Sequence, residues 1–242
     1  MLTAMDFSLT ETERDLVELC RDFATKEIAT RAPLAWEEAR CDTALLREMG
    51  QLGLLGMLIP EEWGGIGMST VGFVAAMEQI GLADQSLAAA WQAHVTIGSL
   101  PLYLFGNDMQ RERWLRPLVA GEIRSCFSMT EPETAGSNPL LLETTAVEDG
   151  NDFVINGQKW FTSSADGADF AIVMAVTDPD APPYSRTSMI LVPTDTEGFN
   201  LVRNVSVMGH AGSGHASHGE VIYQGCRVPT TNLLGPRGGG FT

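Results

Sequence analysis

Two short segments carry residue types that could hold a flat ligand with polar edges. The first, Cys126 to Asn138, reads CFSMTEPETAGSN. A strand-like run meets Pro132 and opens into small residues, which let a flat or anionic ligand approach backbone N–H groups. A plain exit from a strand into a loop would have the same composition, so the residues alone leave both readings open. The second segment, Ile155 to Ser164, reads INGQKWFTSS. It sets Trp160 and Phe161 beside Thr162, Ser163 and Ser164, and an aromatic face with hydroxyl donors suits a heteroaromatic ring. An ordinary strand with core aromatics accounts for it equally.

Other chemistries leave little trace. Gly64 to Gly67 reads GGIG without the flanking strand and helix of a phosphate loop, and no Walker loop, HExxH or GxSxG occurs. Cys20, Cys41, Cys126 and Cys226 show no CxxC spacing. His210, His215 and His218 precede Glu220 in a Gly-rich stretch; a metal site, a flexible polar loop and a contact with a partner subunit's cofactor all fit, and no metal is expected. The formal net charge of −16 opposes nucleic acid and anionic lipid as partners. No membrane span is expected, because Gln92, His94, Gly98 and Pro101 interrupt the most apolar stretch. The start, MLTAMDFSLTETERD, lacks the basic and apolar regions of a secretory leader, and the sparse cysteines point to a cytoplasmic location.

The elements that must position these segments fall into two kinds. The first half reads as helices. Thr10 and Glu13 form a capping box ahead of Leu16, Leu19, Phe23 and Ile28, with Pro33 past the end. Leu45, Leu46, Met49 and Leu52 mark a second helix stopped at Gly53. Ser69 or Thr70 caps a third carrying Val71, Val74 and Ala75. Residues 86–105 form a fourth. Asn107 or Asp108 opens a fifth, with Trp114, Leu115 and Leu118 inward. The second half alternates short β-rich runs with Gly, Pro, Asp and Asn, and Asp149-Gly150 centres a hairpin. The fold class is α+β: a helical domain over 1–123, an antiparallel barrel or sandwich over 124–235, and a linker over 236–242.

FSMTEPETAGSN resembles the signature of acyl-CoA dehydrogenases, an aromatic-x-x-Thr-Glu-Pro run before a small-residue loop. INGQKWFTSS is similar to that family's Asn-Gly-x-Lys-x-aromatic-x-Thr strand. RVPTTNLLGPRGGGF and FGNDMQRERWLRPLVAGE resemble two further family segments, and the four occur in the family's order. The resemblance implies a helical domain, a β domain and a C-terminal helical bundle that these residues lack. It implies FAD in a cleft of the β domain, an acyl-CoA substrate, an electron-transfer acceptor and a homo-oligomer. Phe127, Met129 and Thr130 would line the flavin, with Thr130 at its pyrimidine edge. Gly136 and Ser137 would approach the pyrophosphate or the substrate thioester. Phe161 would stand beside the ring, Ser163 near the hydride-accepting nitrogen, and Thr162 between them, contributing by backbone. The loop after Pro132 is one residue longer than the family pattern, which shifts the Gly136 and Ser137 roles by up to one position. Phe161 stands where Trp is frequent, and Ser163 where Thr is.

The family reaction removes the α proton of an acyl thioester with a carboxylate while the β hydrogen leaves as hydride to the flavin. No residue here matches the family base, so no catalytic residue is assigned and these 242 residues alone are expected to be inactive. Glu131 is expected to serve nearby backbone rather than as base. The alternative reading is a non-catalytic flavin or acyl-CoA binding module, or a structural subunit.

Overall fold

The computed structural model describes residues 6–241; residues 1–5 and Thr242 lie outside the described residues. Helix α1 spans residues 11–37 and begins at the expected capping box: Thr10 accepts from Glu13 N while Glu13 accepts from Thr10 N. It buries Val17, Cys20, Phe23 and Ile28, whereas Leu19 is exposed. It also runs through Pro33 instead of stopping before it. A π turn at Ala24–Ile28, with Ala29 N donating to Ala24 O, accompanies the proline.

Helix α2 (Thr43–Gln51) ends ahead of Gly53, whose φ of 77° takes the left-handed conformation a chain reversal needs. Ser69 caps α3 (Thr70–Ala83), which buries Gly72, Phe73, Ala76 and Ile80 and leaves Val74 exposed. The apolar stripe is thus one position away from the Val71–Val74 reading. In a helix apolar almost all round, periodicity does not single out one face. Helix α4 covers residues 85–105 and α5 residues 108–119, each with an internal π turn.

Glu13 joins two helix starts, because it also accepts from Ser69 N and Oγ at the start of α3. Those bonds, led by the Ser69 hydroxyl, hold its carboxyl down at about 2. A depressed carboxylate contributes stability that is complete above its unfolded value and lost as pH falls through the folded one. Glu13→Gln is therefore expected to lower stability at neutral pH and to flatten the acid limb between about pH 4.5 and 2. Urea midpoints against pH check this; an unchanged acid limb would contradict it.

The strands are β1 (Ser125–Ser128), β2 (Thr145–Asp149), β3 (Asp152–Ser163), β4 (Phe170–Val176), β5 (Thr187–Pro193), β6 (Phe199–Asn204), β7 (His218–Pro229) and β8 (Leu233–Leu234). They form one sheet in the order β6-β7-β3-β2-β4-β5-β8, with β1 beside β4. Pairing is mostly antiparallel, but β1 runs parallel to β4, with Phe127 opposite Ile172. Strand β4 is buried on both faces, as its unbroken apolar run requires. Its alternate residues divide between two cores. Phe170, Ile172 and Met174 meet Leu102, Trp114, Leu115 and Leu118 of the helices. Ala171, Val173 and Ala175 meet Ile155, Val221 and Tyr223 within the sheet. Trp114 and Phe170 stack at 4.7 Å, so the helices seat directly behind β1 and β4.

Candidate functional site

Strand β3 departs from regular pairing at the second of the two segments. Lys159 lies opposite Val221 and Thr162 opposite Gly219, so one extra residue is inserted in β3. Such a bulge re-aims side chains. Lys159 and Thr162 both point inward and are buried, while Phe161 and Ser163 turn outward. Phe161 reaches φ 52° to do so, a conformation strained for an aromatic residue, and is 46% exposed. Gly219 permits the close packing: a Cβ there would stand 2.8 Å from Leu201 Cδ1 and 2.9 Å from Ala165 Cβ.

The buried side of the bulge fixes the first segment. Lys159 Nζ donates to Met129 O and to Glu131 Oε1, both at 2.9 Å. Glu131 also accepts from Glu143 N at 2.7 Å and Thr144 N at 2.9 Å. Burial pushes the Glu131 carboxyl up, but Lys159 and the backbone donors outweigh it and hold it below the usual carboxylate range. Burial lowers the Lys159 ammonium to about 8 against the opposing pull of Glu131. Trp160 N donates to Thr130 O at 2.7 Å, which sets the two segments side by side. Tyr223 Oη donates to Ser128 Oγ, which lies 3.2 Å from Thr162 Oγ1, tying β7, β1 and β3 through buried hydroxyls.

Of the sequence-predicted site residues, Thr130 and Gly136 are neighbours: a Cβ on Gly136 would lie 3.4 Å from Thr130 Cγ2. Phe127 and Met129 are half-buried against the core shared with the helices. Gly136 and Ser137 are exposed on the following loop. The Thr162 hydroxyl faces Ser128 in the interior, so only the Thr162 backbone is available on the outer face. Ser163 Oγ lies 2.8 Å from His218 Nδ1. The three loop histidines do not converge. His218 meets Ser163, Glu220 accepts from Gln158 and Arg203, and no metal-binding group of three or more His, Cys, Asp or Glu side chains occurs among the described residues.

Residues 10–122 match the model of the acyl-CoA dehydrogenase N-terminal domain, and residues 126–226 match that of the middle domain. The chain belongs to the acyl-CoA dehydrogenase family. It is 37% identical over 237 residues to a probable acyl-CoA dehydrogenase, YngJ, of Bacillus subtilis, covering 98% of this chain and 61% of that protein. It is 35% identical to the human mitochondrial short-chain specific acyl-CoA dehydrogenase, covering 96% of this chain and 55% of that one. The butyryl-CoA dehydrogenase of Megasphaera elsdenii superposes with a TM-score of 0.88 at 30% identity, over 98% of this chain and 62% of that one. The chain thus spans about three fifths of the length of such relatives.

Within this acyl-CoA dehydrogenase frame, sequence reasoning missed the part played by Lys159. Its place between outward-facing neighbours is a period-2 signal for burial, and a buried lysine calls for a carboxylate partner. The pairing of His218 with Ser163 and the cation–π contact of Arg203 over Trp160, at 5.5 Å, had no local signal, because the partners come from β6 and β7.

Proposed function

We propose that this chain forms the flavin-binding part of an enzyme that dehydrogenates the Cα–Cβ bond of an acyl-CoA thioester. The observation that carries this is the β3 bulge. It turns a strained aromatic and a hydroxyl outward beside Thr130, on a scaffold locked by the Lys159–Glu131 pair. The donor set fits an isoalloxazine: the exposed Phe161 face, the Ser163 hydroxyl, and the Thr130 hydroxyl, which makes no hydrogen bond among the described residues. Similar structures support the cofactor. A Mycobacterium smegmatis glutaryl-CoA dehydrogenase is described in complex with FADH2, and it superposes with a TM-score of 0.83.

FAD, when bound, supplies the hydride acceptor. Phe161 would stack on the ring, with Phe127 and Met129 lining it. Thr130 would orient its pyrimidine edge, and Ser163 with the Thr162 backbone would hold the reacting side. Gly136 and Ser137 would receive the pyrophosphate or the thioester. Glu131 is spent on an ion pair and two backbone N–H groups, so it does not serve as the base. We assign the base to no residue of this chain. An electron-transfer acceptor, a homo-oligomeric assembly and a cytoplasmic location complete the proposal. No helix among the described residues is long and apolar enough to cross a membrane.

The test is reconstitution with FAD of this chain, and of the full product of its gene, followed by desalting and visible spectroscopy. Retained flavin, weakened by Thr130→Val and Ser163→Ala, is the expected result. Colourless protein in both preparations would refute the assignment.

A further inference from the structure

A second polar site lies at the opposite end of β1 from Thr130. A cavity of about 340 Å³ opens between the helices and the sheet, walled by Thr43 and Arg47 of α2, His94 of α4, Arg124, Asp169 and His215. That volume is at the lower end of small-molecule sites and far exceeds the ~30 Å³ share of one water. Its central feature is Arg124. Nη2 is held by the carbonyls of Asp166 and Gly167, which fixes the plane of the guanidinium. Nη1 is buried and has no hydrogen-bond partner among the described residues. A buried guanidinium nitrogen without a partner is costly, and an oxyanion satisfies it best, through a short charge-assisted bond.

The surroundings select for such a group. The carboxylates of Asp169 and Asp166 attract the Arg124 guanidinium, the latter while its Oδ2 accepts from Asn204 Nδ2 and Gly214 N; Arg47 lies near enough to repel it and forms no ion pair among the described residues. Two like charges facing one cavity are relieved by an anion between them. The nearby Asp169 carboxylate is already engaged, since its Oδ2 accepts from Arg124 N at 2.7 Å. Glu122 also lines the cavity but is exposed to solvent. His94 Nε2 donates to Leu118 O at 2.8 Å, which leaves Nδ1 as an acceptor in the neutral ring. Burial favours the neutral form of both His94 and His215. With a net charge of −16, the general field of the chain does not gather anions. Selection must therefore come from the fixed guanidinium itself.

We propose that this cavity binds the oxyanion head, phosphate or carboxylate, of a small metabolite, clamped between Arg124 Nη1 and Arg47. The site is separate from the flavin surface, so it stands or falls independently of the flavin reading. It is tested by isothermal titration of the purified protein with inorganic phosphate and, separately, with acetate, at constant ionic strength. Single-site saturable binding of at least one probe is expected. Phosphate alone would mark a phosphorylated ligand, acetate alone a carboxylic acid, and both a general oxyanion site. Arg47→Ala changes an exposed residue and is expected to weaken binding at least about tenfold; Arg124→Gln should abolish it. Arg237→Gln, outside the cavity, should leave it unchanged. If Arg124→Gln fails to fold, Arg47→Ala decides. Absence of saturable binding by either probe, or equal binding by wild type and Arg47→Ala, would overturn the proposal.

Discussion

Lys159→Ala is expected to destabilise the protein by about 3–5 kcal/mol, the usual consequence of leaving one member of a buried ion pair without its partner. The lysine is fully buried, and its partner Glu131 is nearly so. Removing the ammonium strands a carboxylate that still holds Glu143 N and Thr144 N, and it frees the Met129 carbonyl. For a chain of this length the melting midpoint should fall by about 10 °C or more. The double variant Lys159→Met with Glu131→Gln should recover part of the loss, because it removes both charges and keeps an acceptor for one backbone donor. Arg227→Ala is the contrast. Its bridges to Asp149 and Asp152 are exposed, and its loss should cost no more than about 1 kcal/mol. Thermal and urea unfolding of the four proteins compare these outcomes directly. A Lys159→Ala midpoint close to that of Arg227→Ala would show that the pair does not anchor the bulge.

Phe161→Gly should move stability and cofactor affinity in opposite directions. The left-handed backbone at φ 52° costs a non-glycine residue about 1–2 kcal/mol, a cost glycine does not bear. The half-exposed ring gives up an edge contact with Trp160 at 5.4 Å, which offsets part of that gain, so the cofactor-free variant should be more stable by up to about 1 kcal/mol. Loss of the aromatic face should lower FAD affinity at least about tenfold, from lost stacking together with lost apolar burial. Phe161→Ala keeps the strain and should lose affinity without the gain in stability. Urea midpoints and flavin titrations separate the two effects. Lower stability with unchanged FAD affinity in Phe161→Gly would mean that the ring serves the sheet rather than a ligand.

The helical half was legible in advance, because caps and helix stops are local. Thr10 with Glu13, Asn107 with Gln110, and the left-handed glycines at Gly53 and Gly121 act within a few residues of one another. Also legible were the hairpin at Asp149-Gly150, where turn chemistry and alternation agree, and the motif order that marks the family. Where a segment is apolar on every side, as in α3, periodicity did not reveal which side the fold would bury. Pro33 shows that a local stop signal yields when the ladder shifts upstream of it. The outward aim of Phe161 and Ser163 comes from long-range strand pairing. Alternation alone puts Lys159, Phe161 and Ser163 on one face. The extra residue opposite β7 separates Lys159 from the other two, and the pairing that creates it joins residues about sixty apart in the chain. The same holds for Arg124, an ordinary charge in sequence. It becomes a candidate ligand anchor only because the 166–167 turn catches one of its nitrogens and burial leaves the other without a partner. Bonds between sequence neighbours are legible in advance; a register shift or an unmet donor exists only once distant strands have met.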